Sequence, residues 1–407
     1  MAFEIIGSRV LAPFLGASVL VWVSIIGTIL FAMSAGYFVG GREADKGAKS
    51  ARLASFILLA AASMCLMNLG KGYVLRFISS MDSTIIFKSV TSSVSLFSLP
   101  AFFLAAVFPY ALRLGLNDLE NAGKIAGRFY AMSTLGSILG TFLSATVLIP
   151  IAGTTNIIWM LAALLGLIAS LVFNRKNNNV LLKLVGILIP INELYALYPR
   201  TTIDVDSAYN RIWILDGYKN GREVRFMALN GHVNSGMFLD ETQKEQVYPY
   251  STYFLLAEHY NPNFKTALML GAGAYSFPKL FQDTWPERFL DIVEIDPKLT
   301  ELSVKHFDFR AAISTKIIHE DARTFLQNSS KNYDVIISDV FTSPIDVPFQ
   351  MTTKECYQEH FDHLSENGVL ILNVLGNWDG DHSAFLKSQC KTANSVFPTV
   401  FLFEVED

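Results

Sequence analysis

The stretch TALMLGAGAYSFPKLF, residues 266–281, is an apolar run that ends in a glycine-rich turn and opens a helical segment. Four further apolar runs follow: FLDIVEID (289–296), TKIIHEDARTFL (315–326), YDVIISDVF (333–341) and GVLILNVLG (368–376). Strands alternating with helical segments at this spacing predict a parallel, doubly wound sheet. Ligands of such sheets sit outside the carboxyl ends of the strands, and that is where the acids of these runs fall. Gly271 and Gly273 allow a tight turn and close backbone approach to a ligand. Glu294, about twenty residues on at the end of the next strand, is placed to take both hydroxyls of a ribose. Asp321, beside Glu320 at the third strand end, is placed to accept from an adenine amino group. A pyrophosphate-binding turn reads GxGxxG, whereas this one reads GAGAYS with Ser276 third. An adenosyl ligand without pyrophosphate therefore fits better than a dinucleotide. Solvated acids at strand ends are the plainer reading, but a GxG turn and two spaced strand-end acids argue against it.

Upstream, residues 203–239 alternate apolar and polar and are punctuated by GYKNG and LNGH, the signature of hairpins in a small β-rich unit. A helical stretch is expected around 242–259. The domains then read 1–199 as a helical membrane domain, 200–262 as the β-rich subdomain with its linking helix, and 263–407 as the nucleoside-binding domain.

The first half is a different material. A bilayer span needs about 20 predominantly apolar residues. Stretches 14–40, 53–70, 84–112, 129–150, 154–173 and, marginally, 180–199 qualify, which predicts five or six spans. Small residues recur in SAGYFVGG (34–41) and GSILG (136–140), a signal for close helix packing rather than for a transport site. Lys88 sits near a helix end where it can snorkel, while Glu193 is the better functional candidate. Arg and Lys clusters at 42–52, 113–128 and 175–176 mark alternate loops as cytoplasmic. A full crossing by 180–199 would then place the second half outside, so that segment is expected to lie at the interface or re-enter.

Hydrophobic residues make up 51 % of the 407 and charged residues only 17 %, too apolar for a wholly soluble protein. The net charge of −4 conceals an asymmetry. Before residue 200, fourteen Lys or Arg face seven acids; from residue 200 on, 18 face 29. Disorder and a disulfide-stapled module are excluded, and an acidic second half argues against nucleic acid as a partner. Cys65, Cys356 and Cys390 form no CxxC pair, and no metal site is expected.

LMLGAGA, VEID, HEDA and ISDVF, in this order, resemble the spermidine synthase (polyamine aminopropyltransferase) family. FEIIGSRVLAPFLGASVLVW, GYFVGGREAD and GRFYAMSTLGSILGTF are similar to its membrane-fused members, and the resemblance covers nearly the whole chain. One upstream helix typical of those relatives is expected to be missing. The resemblance implies a multi-pass α-helical membrane domain followed by an α/β Rossmann-like, class I methyltransferase-like domain with a small β-rich N-terminal subdomain. It implies an integral protein of a bacterial inner (cytoplasmic) membrane with a cytoplasmic catalytic domain, and a homodimer.

Carried over residue by residue, Gly271, Gly273, Glu294, Asp296, Asp321 and Ala322 match the nucleoside site, Asp339 the catalytic acid and Tyr248 an aromatic beside the reacting chain. The amine side departs from the pattern. Ala274, followed by Tyr275, stands where the family has an acid in GGGDG; Thr342 and Tyr250 replace two further acids, and Val400 a late tyrosine. Polyamine recognition depends on carboxylates, so the usual acceptor is in doubt. Loss of the acid at 274 would also remove repulsion of the carboxylate of intact S-adenosylmethionine.

Three functions follow. The first is aminopropyl transfer from decarboxylated S-adenosylmethionine to a small-molecule amine, with Asp339 as base. The second is methyl transfer from intact S-adenosylmethionine, with a membrane-associated acceptor in the lipid bilayer. The third is a non-catalytic nucleoside-sensing or transport-coupled membrane protein.

Overall fold

The computed structural model describes residues 2–16, 18–116, 121–173, 202–240, 245–340, 348–376, 378–380 and 383–405. The chain divides into two compact units, residues 1–200 and 201–407.

In the first unit, α1 (Ala2–Leu15) is followed by α2 (Val19–Asp45), α3 (Ser50–Ser79), α4 (Ile85–Gly115), α5 (Ala122–Leu143) and α6 (Ile149–Val172), with a π turn, Ser144–Leu148, between the last two. The expected span 14–40 is shifted. Gly16, at φ 76°, breaks the chain there, so α1 is a separate helix of 14 residues and the span begins at Val19. The expected spans 129–150 and 154–173 fall in one continuous run, Ala122–Val172, with a kink between them and no loop. Its 51 residues at about 1.5 Å each exceed twice the roughly 30 Å of a bilayer core. Gly153, at φ 70° and ψ 162°, interrupts it. Among the described residues there are thus four helices long and apolar enough to cross a membrane. The segment 180–199, with Glu193, lies outside the described residues.

Helix packing follows the small residues in one place and not in another. A Cβ on Gly36 would strike the Phe102 carbonyl and one on Gly40 the Ala106 carbonyl, so SAGYFVGG sets how closely α2 approaches α4. By contrast, α5 buries no residue, and nothing lies within 4 Å of a Cβ on Gly136. At Gly136, then, the GSILG run makes no comparable close approach to a described residue. Lys88 Nζ donates to the Ser79 carbonyl at the end of α3 (3.0 Å). A polar contact without a signal in the sequence is that of Lys71, buried in α3, whose Nζ donates to Thr155 Oγ1 of α6 (2.7 Å).

The second unit opens with β1 (Thr202–Asp206), β2 (Arg211–Lys219), β3 (Arg222–Leu229) and β4 (His232–Phe238), an antiparallel meander. Asn220-Gly221 and Asn230-Gly231 have positive φ at both positions, the two-residue turn whose twist suits a hairpin. The helical stretch expected from 242 begins later and tighter, as a 3-10 segment, Pro249–Leu255, running into α7 (Leu256–Tyr260).

Next come β5 (Thr266–Leu270), α8 (Ser276–Thr284), β6 (Phe289–Val293), α9 (Pro297–His306), β7 (Thr315–Ile318), α10 (Ala322–Asn328) and β8 (Tyr333–Ser338). A 3-10 turn, Phe349–Met351, then leads to α11 (Lys354–Asp362), β9 (Leu364–Leu372) and α12 (Ser383–Asn394). The five strands are parallel, in the order β7-β6-β5-β8-β9. The second half is an α/β Rossmann-like domain. Ala267, Leu268, Met269 and Leu270 of the central β5 are all buried, as a strand covered by helices on both faces requires. One face packs Phe264, Phe277, Phe281 and Trp285, the other Leu326, Tyr333 and Met351. The meander seals its own core, Ile212, Ile214 and Met227, against Leu299, Leu302 and Phe307.

Candidate active site

The carboxyl ends of β5, β6 and β8 meet at one place because the chain crosses over between β5 and β8. Gly271 N donates to Val293 O (2.9 Å) and Asp339 N to Leu270 O (2.8 Å), which extends the ladder and seats Asp339 beside the glycine turn. A side chain at Gly271 is excluded twice, by φ 79° and by the Asp339 carbonyl in the space of its Cβ. Gly273, at φ 53°, would set a Cβ 2.6 Å from Ser235 Oγ of β4.

Glu294 ends β6 and is buried. Ala272 N donates to its Oε2 (3.0 Å) and Asp296 N to its Oε1 (3.0 Å). Burial outweighs these donors and pushes the carboxyl up to about 7. Asp321 caps α10, its Oδ1 accepting from Thr324 N (2.9 Å). Asp339, partly buried, lies on the cavity wall. Asn373 Nδ2 donates to Oδ1 (3.0 Å) and the Tyr250 hydroxyl to Oδ2 (3.2 Å). Burial raises its pKa above the ordinary aspartate value, while those two donors pull in the opposite direction. All three acids line one cavity of about 1520 Å³, with Gly271, Gly273, Ala322, Tyr248 and Tyr250 also on its wall. Pockets for single drug-sized ligands span about 300–1,000 Å³, so there is room for two substrates.

Residues 280–404 match the family model described as the spermine/spermidine synthase domain. The match lies wholly within the C-terminal half. Among curated proteins it is similar to the polyamine aminopropyltransferase of Vibrio vulnificus, 28 % identical over 203 residues, which cover 49 % of this chain and 66 % of that one. That of Streptococcus pneumoniae is 30 % identical over 198 residues, 47 % of this chain and 65 % of that one. The chain thus spans just under two thirds of the length of these relatives. Of solved structures, a probable spermidine synthase from Corynebacterium glutamicum overlaps with a TM-score of 0.39 at 26 % identity, covering 46 % of this chain and 68 % of that one. Spermidine synthase from Thermotoga maritima overlaps with a TM-score of 0.40 at 20 % identity, 49 % of this chain and 65 % of that one.

Within this domain, not every residue expected at the site reaches it. Asp296 turns to the meander, its Oδ2 accepting from Ser207 Oγ (2.5 Å) and Asn210 Nδ2 (3.2 Å) while its Oδ1 caps α9 at Lys298 N (3.0 Å). It joins the two sheets and does not line the cavity. Tyr275, at φ 60°, is wholly buried; its ring lies on Phe309 (4.3 Å) and its hydroxyl bonds Thr300 (2.6 Å). Ala274 is equally buried, in the core that the meander shares with α9. Both therefore belong to packing rather than to the substrate pocket, because the left-handed residue at 275 turns the chain inward there. Thr342 lies outside the described residues. Asn373 and Ser235 were not foreseen. Asn373 follows β9, and the rule that drew attention to Glu294, a polar residue closing an apolar strand, also fits VLILN.

Proposed function

We propose that this domain transfers an alkyl group from an adenosyl sulfonium to an amine. The observation that carries the reading is the Asp339 carboxylate, held by Asn373 and Tyr250 in the cavity shared with Glu294 and Asp321. Glu294 takes the ribose hydroxyls and Asp321 the adenine amino group, which leaves the sulfonium side chain directed past the glycine turn. Asp339 orients the amine nitrogen for in-line displacement of the thioether and accepts its proton. Each carboxylate oxygen has a second acceptor site, so the two protein donors leave room for the amine.

Decarboxylated S-adenosylmethionine is the donor proposed. The argument for the intact form rested on Ala274, and Ala274 faces the core. The apolar helices anchor the domain in a bilayer, with the domain on the cytoplasmic side where the donor is made. Purified full-length protein, supplied with either nucleoside and an amine panel, is expected to release methylthioadenosine. Release of adenosylhomocysteine would assign methyl transfer instead, and saturable nucleoside binding with no product would remove catalysis.

A further inference from the structure

Around Asp339 the cavity is walled by rings. Tyr250 packs on Tyr248 (centroids 6.5 Å apart) and edge-on against Phe254 (5.9 Å). Its hydroxyl is turned onto Asp339 and so directs its proton away from an arriving substrate. Lys219 holds its ammonium 4.3 Å from the centre of the Tyr248 ring and donates to Val247 O (2.9 Å), which fixes a positive charge against that wall. Among the described residues, the remaining acids on the cavity are Glu294 and Asp321, set for the nucleoside, and Glu366, Asp379 and Glu404, all exposed to solvent.

Resting on the transfer reading above, we propose that the acceptor is an amine with one amino group on an uncharged, apolar or aromatic body. Its nitrogen meets Asp339. Its body replaces water on the faces of Tyr248 and Tyr250, where aromatic contact rewards apolar area. Among the described residues, a second ammonium would leave water without gaining a buried carboxylate beyond those set for the nucleoside, and desolvating an uncompensated charge is expensive. Nor can it draw fully on the Tyr248 ring, because Lys219 already engages that quadrupole and repels another cation. Lys219 and Tyr250 are in this reading specificity residues.

Butan-1-amine and butane-1,4-diamine are a matched pair that differ by the second ammonium. Full-length protein in nanodiscs would be titrated with each in the presence of methylthioadenosine, and assayed with each alongside decarboxylated S-adenosylmethionine. The monoamine should bind at least about tenfold more tightly and turn over with the higher kcat/KM, a difference of about 1.4 kcal/mol. Lys219→Met, which leaves Asp339 and its two donors in place, should narrow the gap several-fold. Preferential binding of the diamine, no binding of either amine, or an unchanged ratio in Lys219→Met would each overturn the assignment. Nucleoside-dependent binding of the monoamine with no product would instead retain this inference and remove the transfer reading.

Discussion

Glu294 is a buried carboxyl and Asp339 a partly buried one, and their partners separate their roles. Glu294 is held by backbone N–H groups of the turn and of its own strand end, so it is part of the framework of the proposed nucleoside site. Asp339 is held by two side chains, Asn373 and Tyr250, that arrive from distant segments. Asp339→Asn should lower kcat by about 10²–10⁴-fold, the usual contribution of a positioned base, and leave nucleoside affinity within a few-fold. Glu294→Ala should abolish nucleoside binding and with it all turnover. Full activity in Asp339→Asn, measured by nucleoside product release, would remove it as the base. Glu294, Asp321 and Asp339 were legible because each closes an apolar run. Asp296 was not: two residues after Glu294, local pattern cannot say which acid faces the cavity and which faces Ser207. Tyr275 was hidden for a similar reason, since its side-chain direction depends on a φ of 60° that the residue type does not announce.

At the scale of elements, turns and strand order were readable wherever a physical constraint had a single solution. Asn-Gly at both hairpins and the alternation of β5 through β9 left little choice of connection. Where several packings satisfy the same composition, the reading lost resolution. The small residues of 34–41 and of 136–140 look alike in sequence, but a Cβ on Gly36 or Gly40 would meet a neighbouring backbone while one on Gly136 would meet no described residue. This contrast gives a prediction. Gly36→Leu should destabilise the helical unit by about 1–3 kcal/mol or more, since no rotamer escapes the Phe102 carbonyl. Gly136→Leu should cost little. Thermal unfolding in detergent, followed by helical circular dichroism, separates the two, and equal midpoints would contradict the close approach of α2 to α4. A single glycine, Gly153, rather than a polar loop, divides the long run between the two expected spans.

For the whole molecule, the contrast between a basic apolar half and an acidic half coincides with two structural units. With the proposed orientation, protease added to sealed right-side-out vesicles should leave residues 202–405 intact, while inside-out vesicles should lose them. Digestion in the first preparation would reverse the sidedness. The buried Glu294 carboxyl, whose pKa stands at about 7, has a further consequence for the free molecule. Because burial raises the folded value above the ordinary 4.5, folding keeps the proton, and this group's contribution to stability declines as pH rises from about 4.5 to 7. Ribose hydroxyls donated to the carboxylate would favour its charged form and reverse that preference. Donor affinity should then weaken about tenfold per pH unit below 7, and near neutrality each nucleoside bound should expel roughly half a proton. Calorimetric titration in two buffers of different ionisation enthalpy measures that proton directly, and equal heats in both would deny the coupling. The carboxyl that shapes the ribose pocket would thereby make the protein a proton exchanger, its loading with donor registered by the acidity of the compartment around it.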